Sequence, residues 1–383
     1  MENVRFWIKL LLFLLPFAAV CCAVSVFTLY TGEAMPLSWV VQQQIADETV
    51  LYRPRYGNRD QQFKLLSVNM RRPQILALGS SRILQFRAGF FNRQPDAFYN
   101  AAAPAWRLPQ MLELLENIDP APQVLLLAID LPWFNAAYTG DSFPDDRSDF
   151  DHLFDANSGL VRDVLMNVPL DRSGFSLSSY LNRSEPGAGG LALGLRAIRD
   201  GHGFRGDGSE QYGDFLIAGW LYAPNTREAH LVWMREGREM YAYGSTVSES
   251  VLAMMERLLS VAQARGVTVI GFLPSYMPSL WDEMNARGNH SYMVDAVRAL
   301  RVMFERYGYP FFDFSDAATV NTTDDEFFDG WHASELSNLR LYLHMAETLP
   351  NILGTYSDIA ALREIANTAN NTWTVFGMDS AAG

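Results

Sequence analysis

The sequence predicts an α/β fold, a doubly wound and mostly parallel sheet of five strands, preceded by one transmembrane helix. Three observations predict it: short apolar runs ending in glycine or a turn, amphipathic stretches between them, and one long uncharged segment near the start. Residues 10–32 carry no charge, which exceeds the roughly 20 residues a spanning helix needs. Arg5 and Lys9 precede this stretch and Glu33 follows it, so the positive-inside rule places the N-terminus in the cytoplasm and the rest outside. A cleaved signal peptide is the competing reading, since VCCAVS offers small residues near a processing site. The anchor, residues 10–30 within a segment 1–35, is the reading adopted, because the apolar run continues past that point. The protein is then a single-pass inner-membrane protein with an extracytoplasmic domain.

The elements follow in order. After a juxtamembrane segment, 36–73, residues 74–80 (QILALGS) form a nearly continuous apolar run, as in a strand covered on both faces. Residues 96–103 (DAFYNAAA) give a second, weaker strand and 123–131 (QVLLLAIDL) a third. Between these two, Leu108, Met111, Leu112, Leu115 and Ile118 recur at helical spacing before Asp119-Pro120 ends the pattern. The rhythm resumes at Thr246, which with Glu249 has the capping-box spacing, and Val251, Met254, Leu258 and Ala262 supply a stripe that Gly266 terminates. Residues 267–274 and 309–315 are the fourth and fifth strands, with a helix on Met293, Val297, Leu300 and Phe304 between them. A last helix begins near His332. Residues 132–245, with an acidic loop and a glycine-rich stretch, read as a large insertion after strand three, completing a domain over 74–350. Residues 351–383 read as a tail, a short helix and then a polar, poorly ordered end.

Composition removes several functional classes. A net charge of −13 and no run of Lys or Arg exclude a nucleic-acid surface. Cys21 and Cys22, the only cysteines, lie in the apolar segment, so the domain has no disulfide framework and no thiolate metal site. Asp149, Asp151 and Asp155 lack the glycine and terminal glutamate of a calcium loop, and the histidines do not pair at ligand spacing; no metal and no cofactor are expected.

Ligands of an open α/β sheet bind beyond the C-terminal ends of its strands. Gly79-Ser80-Ser81-Arg82 lies there, after strand one and at the expected start of a helix whose free N–H groups suit an oxyanion. Taken alone, a serine pair in that place is a helix cap as readily as a nucleophile. Asp329 and His332, three residues apart after the last strand, change the balance, because that spacing lets the carboxylate fix the imidazole tautomer while the other ring nitrogen faces a serine.

This combination resembles the SGNH, or GDSL-type, hydrolase superfamily, a flavodoxin-like sheet with a nucleophile after strand one and Asp-x-x-His after the last strand. The resemblance implies Ser81 rather than Ser80 as nucleophile, with Asp329 and His332 completing the triad. It matches the second block loosely with Asn100-Ala101-Ala102, so that Ser81 and Ala102 N–H groups, or Asn100, hold the oxyanion. In the third block Asp130 stands where an asparagine donor is usual. An ionised carboxylate has no proton to give, so either the other donors serve, or activity is weak, or Asp130 is protonated. Arg82 is its natural ion-pair partner. The single anchor and Gly-Ser-Ser are similar to the branch with the teichoic acid D-alanyl transfer protein and the exopolysaccharide O-acetylation proteins. That implies acyl transfer or ester hydrolysis on a cell-envelope polysaccharide, beside a membrane-bound O-acyltransferase. The alternative is a non-catalytic glycan-binding or scaffold subunit for such an acyltransferase. Trp106, Trp133 and Trp331, with Arg82 and Asp130, are the expected substrate contacts. Arg205, Asp207 and Tyr212 are further candidates in the glycine-rich stretch.

Overall fold

The computed structural model describes the chain except residues 1, 58, 105, 139–147, 167–176, 185–189, 214–222 and 378–383. The chain opens with α1 (Glu2–Tyr30), long and apolar enough to cross a membrane, as an anchor or a signal sequence is. α2 (Leu37–Ala46), β1 (Leu51–Tyr52) and α3 (Asp60–Arg71) follow. Then come β2 (Ile75–Leu78), β3 (Phe98–Asn100), α4 (Leu108–Asn117) and β4 (Val124–Ala128). The interrupting region supplies α5 (Asp149–Met166), α6 (Leu177–Asn182), β5 (Ala192–Leu193), α7 (Leu195–Asp200), β6 (Gly203–Phe204), β7 (Glu210–Gln211) and α8 (Ala223–Glu236). The main rhythm returns with α9 (Glu249–Ala264), β8 (Thr268–Leu273), α10 (Pro278–Arg287), α11 (Tyr292–Tyr307), β9 (Phe311–Asp313) and α12 (Glu335–Thr348). α13 (Pro350–Leu353) and α14 (Ile359–Thr368) complete it.

The five expected strands form one all-parallel sheet in the order β3-β2-β4-β8-β9. Their side chains alternate between two cores, which is why the strand sequences are apolar at successive positions. Leu76, Leu78, Leu125, Leu127 and Val269 face α4, α9 and α11. Ile75, Ala77, Leu126, Ile270 and Phe272 face Phe86, Phe90 and the α12 residues Leu339, Tyr342 and Met345. α9 begins at Glu249 with Ser248 at its cap, so the expected Thr246–Glu249 box does not form; α12 begins after the Ser334 cap, three residues past His332.

Three regions add to or differ from the sequence reading. The juxtamembrane segment is packed into the domain: β1 pairs with β5 and β6 of the insertion in a second sheet ordered β5-β1-β6-β7, and Gln44 Nε2 donates to Val50 and Phe204 carbonyls, both at 2.9 Å. Strands of two residues carry no readable period, so nothing in the sequence announced them. The stretch 149–155, expected within an acidic loop, is the start of α5, while the rest of that loop lies largely outside the described residues. The tail is also packed: Leu336 N donates to Thr372 O at 2.9 Å, Trp373 is buried, and Phe376 lies 5.7 Å from Phe90.

Candidate active site

β2 delivers the chain to the C-terminal edge of the sheet at Leu78. Gly79 follows because a Cβ there would stand 2.8 Å from that of Ala128 and 3.1 Å from the side chain of Ile83. Ser80 is a cap: its Oγ accepts from Arg82 N at 3.3 Å. What it caps is one turn of 3-10 helix, Ser81–Ile83, and not the long helix expected from the sequence, so the field of a full helix is missing here. Of the serine pair, one is a cap and the other is presented outward, half-exposed.

Ser81 Oγ lies 2.7 Å from His332 Nε2, and His332 Nδ1 lies 2.8 Å from Asp329 Oδ2. The second oxygen of Asp329 accepts from the backbone N–H of Trp331 and of His332, each at 2.7 Å, which fixes the carboxylate in the plane the ring needs. Nδ1 is thereby the donor to Asp329, leaving Nε2 to accept from Ser81. Burial alone would lower the His332 pKa; the Asp329 carboxylate, by charge and hydrogen bond, outweighs it and holds His332 above the usual 6.5. Burial would raise Asp329, yet His332 and His230 draw it well below the ordinary carboxylate range. The arrangement can take a proton from a serine hydroxyl and return it.

The expected anion-binding groups are arranged otherwise. Asn100 is buried, its amide donating to the carbonyls of Ile83 at 2.8 Å and Phe86 at 3.0 Å, and its Oδ1 accepts from the N–H of Ala102 at 3.0 Å. Both residues assigned to the oxyanion are therefore engaged in holding the 81–86 turn against β3. A donor already bonded within the protein must give up that bond to serve an anion. The N–H of Ser81 donates to no acceptor among the described residues and is the donor that stays available.

Arg82 and Asp130 form a buried ion pair at 3.4 Å. The guanidinium also donates to the carbonyls of Pro274, at 2.9 Å, and Ser275, and it sits in the corner formed by the Tyr276 and Trp331 rings, 4.5 Å and 4.2 Å from their centroids. It ties the ends of β4 and β8 to the loop carrying Asp329 and His332. Trp106, Trp133 and Trp331 are all buried, packed in the core cluster rather than offered as platforms. Arg205 bonds Ser209, and Asp207 accepts from Ala88 N at 2.8 Å and from Ser209, so both serve the β6–β7 hairpin.

Sequence reasoning missed His230. Its Nε2 stands 3.7 Å from Asp329 Oδ2 and its Nδ1 lies 2.7 Å from the Tyr241 hydroxyl, so the Asp329 carboxylate sits between two histidines. A lone histidine on α8, in the interrupting region, carried no spacing signal that pointed to it. No family model, curated protein or solved structure matches the chain. The site therefore stands on its own geometry. Among the described residues, no group of three or more His, Cys, Asp or Glu side chains is placed to hold a metal ion.

Proposed function

We propose that this protein is a serine-dependent acyl-transfer enzyme of the SGNH kind, anchored by α1 and facing the outside of the cytoplasmic membrane. The observation that carries the reading is the unbroken relay from Ser81 through His332 to Asp329, at 2.7 and 2.8 Å. Ser81 Oγ attacks the acyl carbonyl carbon as His332 Nε2 takes its proton, and the Ser81 N–H faces the developing oxyanion. The carbon–oxygen bond to the leaving alcohol then breaks, and His332 delivers the proton to that oxygen. A second hydroxyl attacks the acyl-serine, losing its proton to His332, which passes it to Ser81 Oγ. With water the outcome is ester hydrolysis and with a sugar hydroxyl it is transfer. Acetyl as the acyl group, an envelope polysaccharide as acceptor and a neighbouring membrane-bound O-acyltransferase follow from the resemblance and from the anchor.

A second reading rests on a specific observation: the engaged Asn100 and Ala102 and the locked Arg82–Asp130 pair favour a non-catalytic scaffold that binds glycan or docks on an acyltransferase. Labelling with a fluorophosphonate separates the two. The enzyme reading expects a label that is lost in Ser81→Ala and kept in Ser80→Ala; a folded protein that takes no label supports the scaffold. Acetyl content of envelope glycans, measured with and without the gene product, then tests the acceptor class.

A further inference from the structure

The free part of α1 is too short for a bilayer. Arg5 and Lys9 hold its near end at the cytoplasmic headgroups, and beyond them residues 10–23 stand clear of the domain, nearly all exposed. Fourteen residues rise about 21 Å as a helix, against roughly 30 Å of hydrocarbon. The missing length is the stretch from Val24 to Tyr30, which is equally uncharged but is packed against the domain. There Thr28 Oγ1 lies 2.7 Å from Asn157 Oδ1, Asn157 Nδ2 donates to Ser25 at 2.8 Å, and Phe27 packs on Tyr180. Whatever binds this stretch of α1 sits at membrane depth, and what binds it is α5 with Tyr180 and Leu181 of α6.

α5 is built for that position. Its inner face, with His152, Ala156 and Leu160, is buried. Its outer side carries Phe150, Phe154, Val161, Val164 and Leu165, within a sector about 100° wide at helical spacing, and Phe150 and Leu165 are 74% and 76% exposed. Leu181 of α6 is also exposed, its carbonyl accepts from the Tyr30 hydroxyl, and Arg183 lies over the Tyr30 ring at 5.0 Å. A tyrosine and an arginine together mark a headgroup boundary. Asp151, Asp155 and Arg162 occupy one flank of the helix, away from the stripe.

We infer that α5 is an interfacial helix whose Phe150–Phe154–Val161–Leu165 stripe is immersed in the outer leaflet, so that the domain is seated on the membrane and not tethered above it. This rests on the anchor reading of α1. Immersion of apolar side chains drives it; the acidic residues on α5 leave no role for anionic headgroups.

The test uses the full chain in phosphatidylcholine nanodiscs. With Cys21→Ala and Cys22→Ala as background, spin labels go on Leu15→Cys in α1 and, separately, on Phe154→Cys, Leu165→Cys, Asp155→Cys and Arg162→Cys. The ratio of oxygen to nickel-chelate accessibility is expected to be several-fold higher at 154 and 165 than at 155 and 162, approaching the value at 15. Water-like values at 154 and 165 with a lipid-like value at 15 would overturn the seating and leave the anchor intact. A water-like value at 15 would remove the anchor and the seating together. Labels at 154 and 165 shielded from both reagents would mean a protein partner or second copy covers the stripe, which also overturns the proposal. Matching circular-dichroism melts among the variants establish that each is folded.

Discussion

The two halves of the site are built on opposite principles. In the Asp329–His332–Ser81 half each polar group is aimed at the next: Asp329 at His332, His332 at Ser81, and Ser81 into the open. In the half where an anion would be held, only the Ser81 N–H stays open, and the other polar groups are aimed back into the protein. Asn100 holds the 81–86 turn, Ala102 holds Asn100, and Arg82 and Asp130 hold each other and the loop of Trp331. The contrast teaches that activating a nucleophile and stabilising an oxyanion are separable constructions. A sequence motif for one says little about the other.

The largest expected effect comes from breaking the relay. Ser81→Ala or His332→Ala should lower ester turnover by about 10⁶-fold, and Asp329→Asn by about 10⁴-fold, since a wrong tautomer is damaging but less so than a missing nucleophile or base. Steady-state hydrolysis of an acetyl ester checks all three. Ser80→Ala, which removes only a 3.3 Å cap, should retain most activity.

Next in size is the buried ion pair. Arg82→Leu leaves Asp130 charged, buried and unpaired, and should cost about 3–5 kcal/mol of stability, read as a lowered urea midpoint. Adding Asp130→Asn to Arg82→Leu should recover part of that loss. If Asp130→Asn alone raised turnover tenfold or more, Asp130 would be a blocked oxyanion position, and the contrast between the halves would be an accident of one residue.

Asn100→Ala should cost about 1–3 kcal/mol, because the buried Ile83 and Phe86 carbonyls and the Ala102 N–H lose their partner. A loss of turnover much larger than the loss of stability would restore Asn100 to the anion site.

The smallest effect is a shift with pH. His332 serves as base only when neutral, and its folded pKa is raised, so the acid limb of the pH–rate profile should lie above pH 6.5. Asp329→Asn removes the raising charge and leaves burial, so the limb should move to lower pH. Stability runs the other way: the raised His332 pKa contributes fully below pH 6.5 and that contribution is lost as pH rises through the folded value. Asp329, held low, contributes above its ordinary pKa of 3.8 and loses that contribution as pH falls through its folded value. A profile flat through the limb would contradict the relay.

The main sheet was legible because β2, β4 and β8 are buried on both faces and so read as apolar runs, while α4 and α11 keep a stripe at helical spacing. Ser81, Asp329 and His332 were legible because each sits just past a strand end or in the loop before α12. The second sheet was not. β1, β5, β6 and β7 are two residues each, and β1 meets β5 and β6 across more than a hundred positions, as Gln44 meets Phe204. The burial of Trp106, Trp133 and Trp331 was equally invisible, since an aromatic residue after a strand reads the same whether it faces a ligand or a guanidinium. Arg82 shows why: its place between Tyr276 and Trp331 joins three loops distant in sequence.

The most direct test of the central claim is the covalent intermediate. The protein is mixed with p-nitrophenyl acetate, quenched in acid and digested, and the peptide containing Ser80 and Ser81 is fragmented by mass spectrometry. The account predicts one acetyl group on Ser81, absent in His332→Ala and present in Ser80→Ala. Acetyl on neither serine in a folded protein, or on Ser81 equally with and without His332, would contradict it.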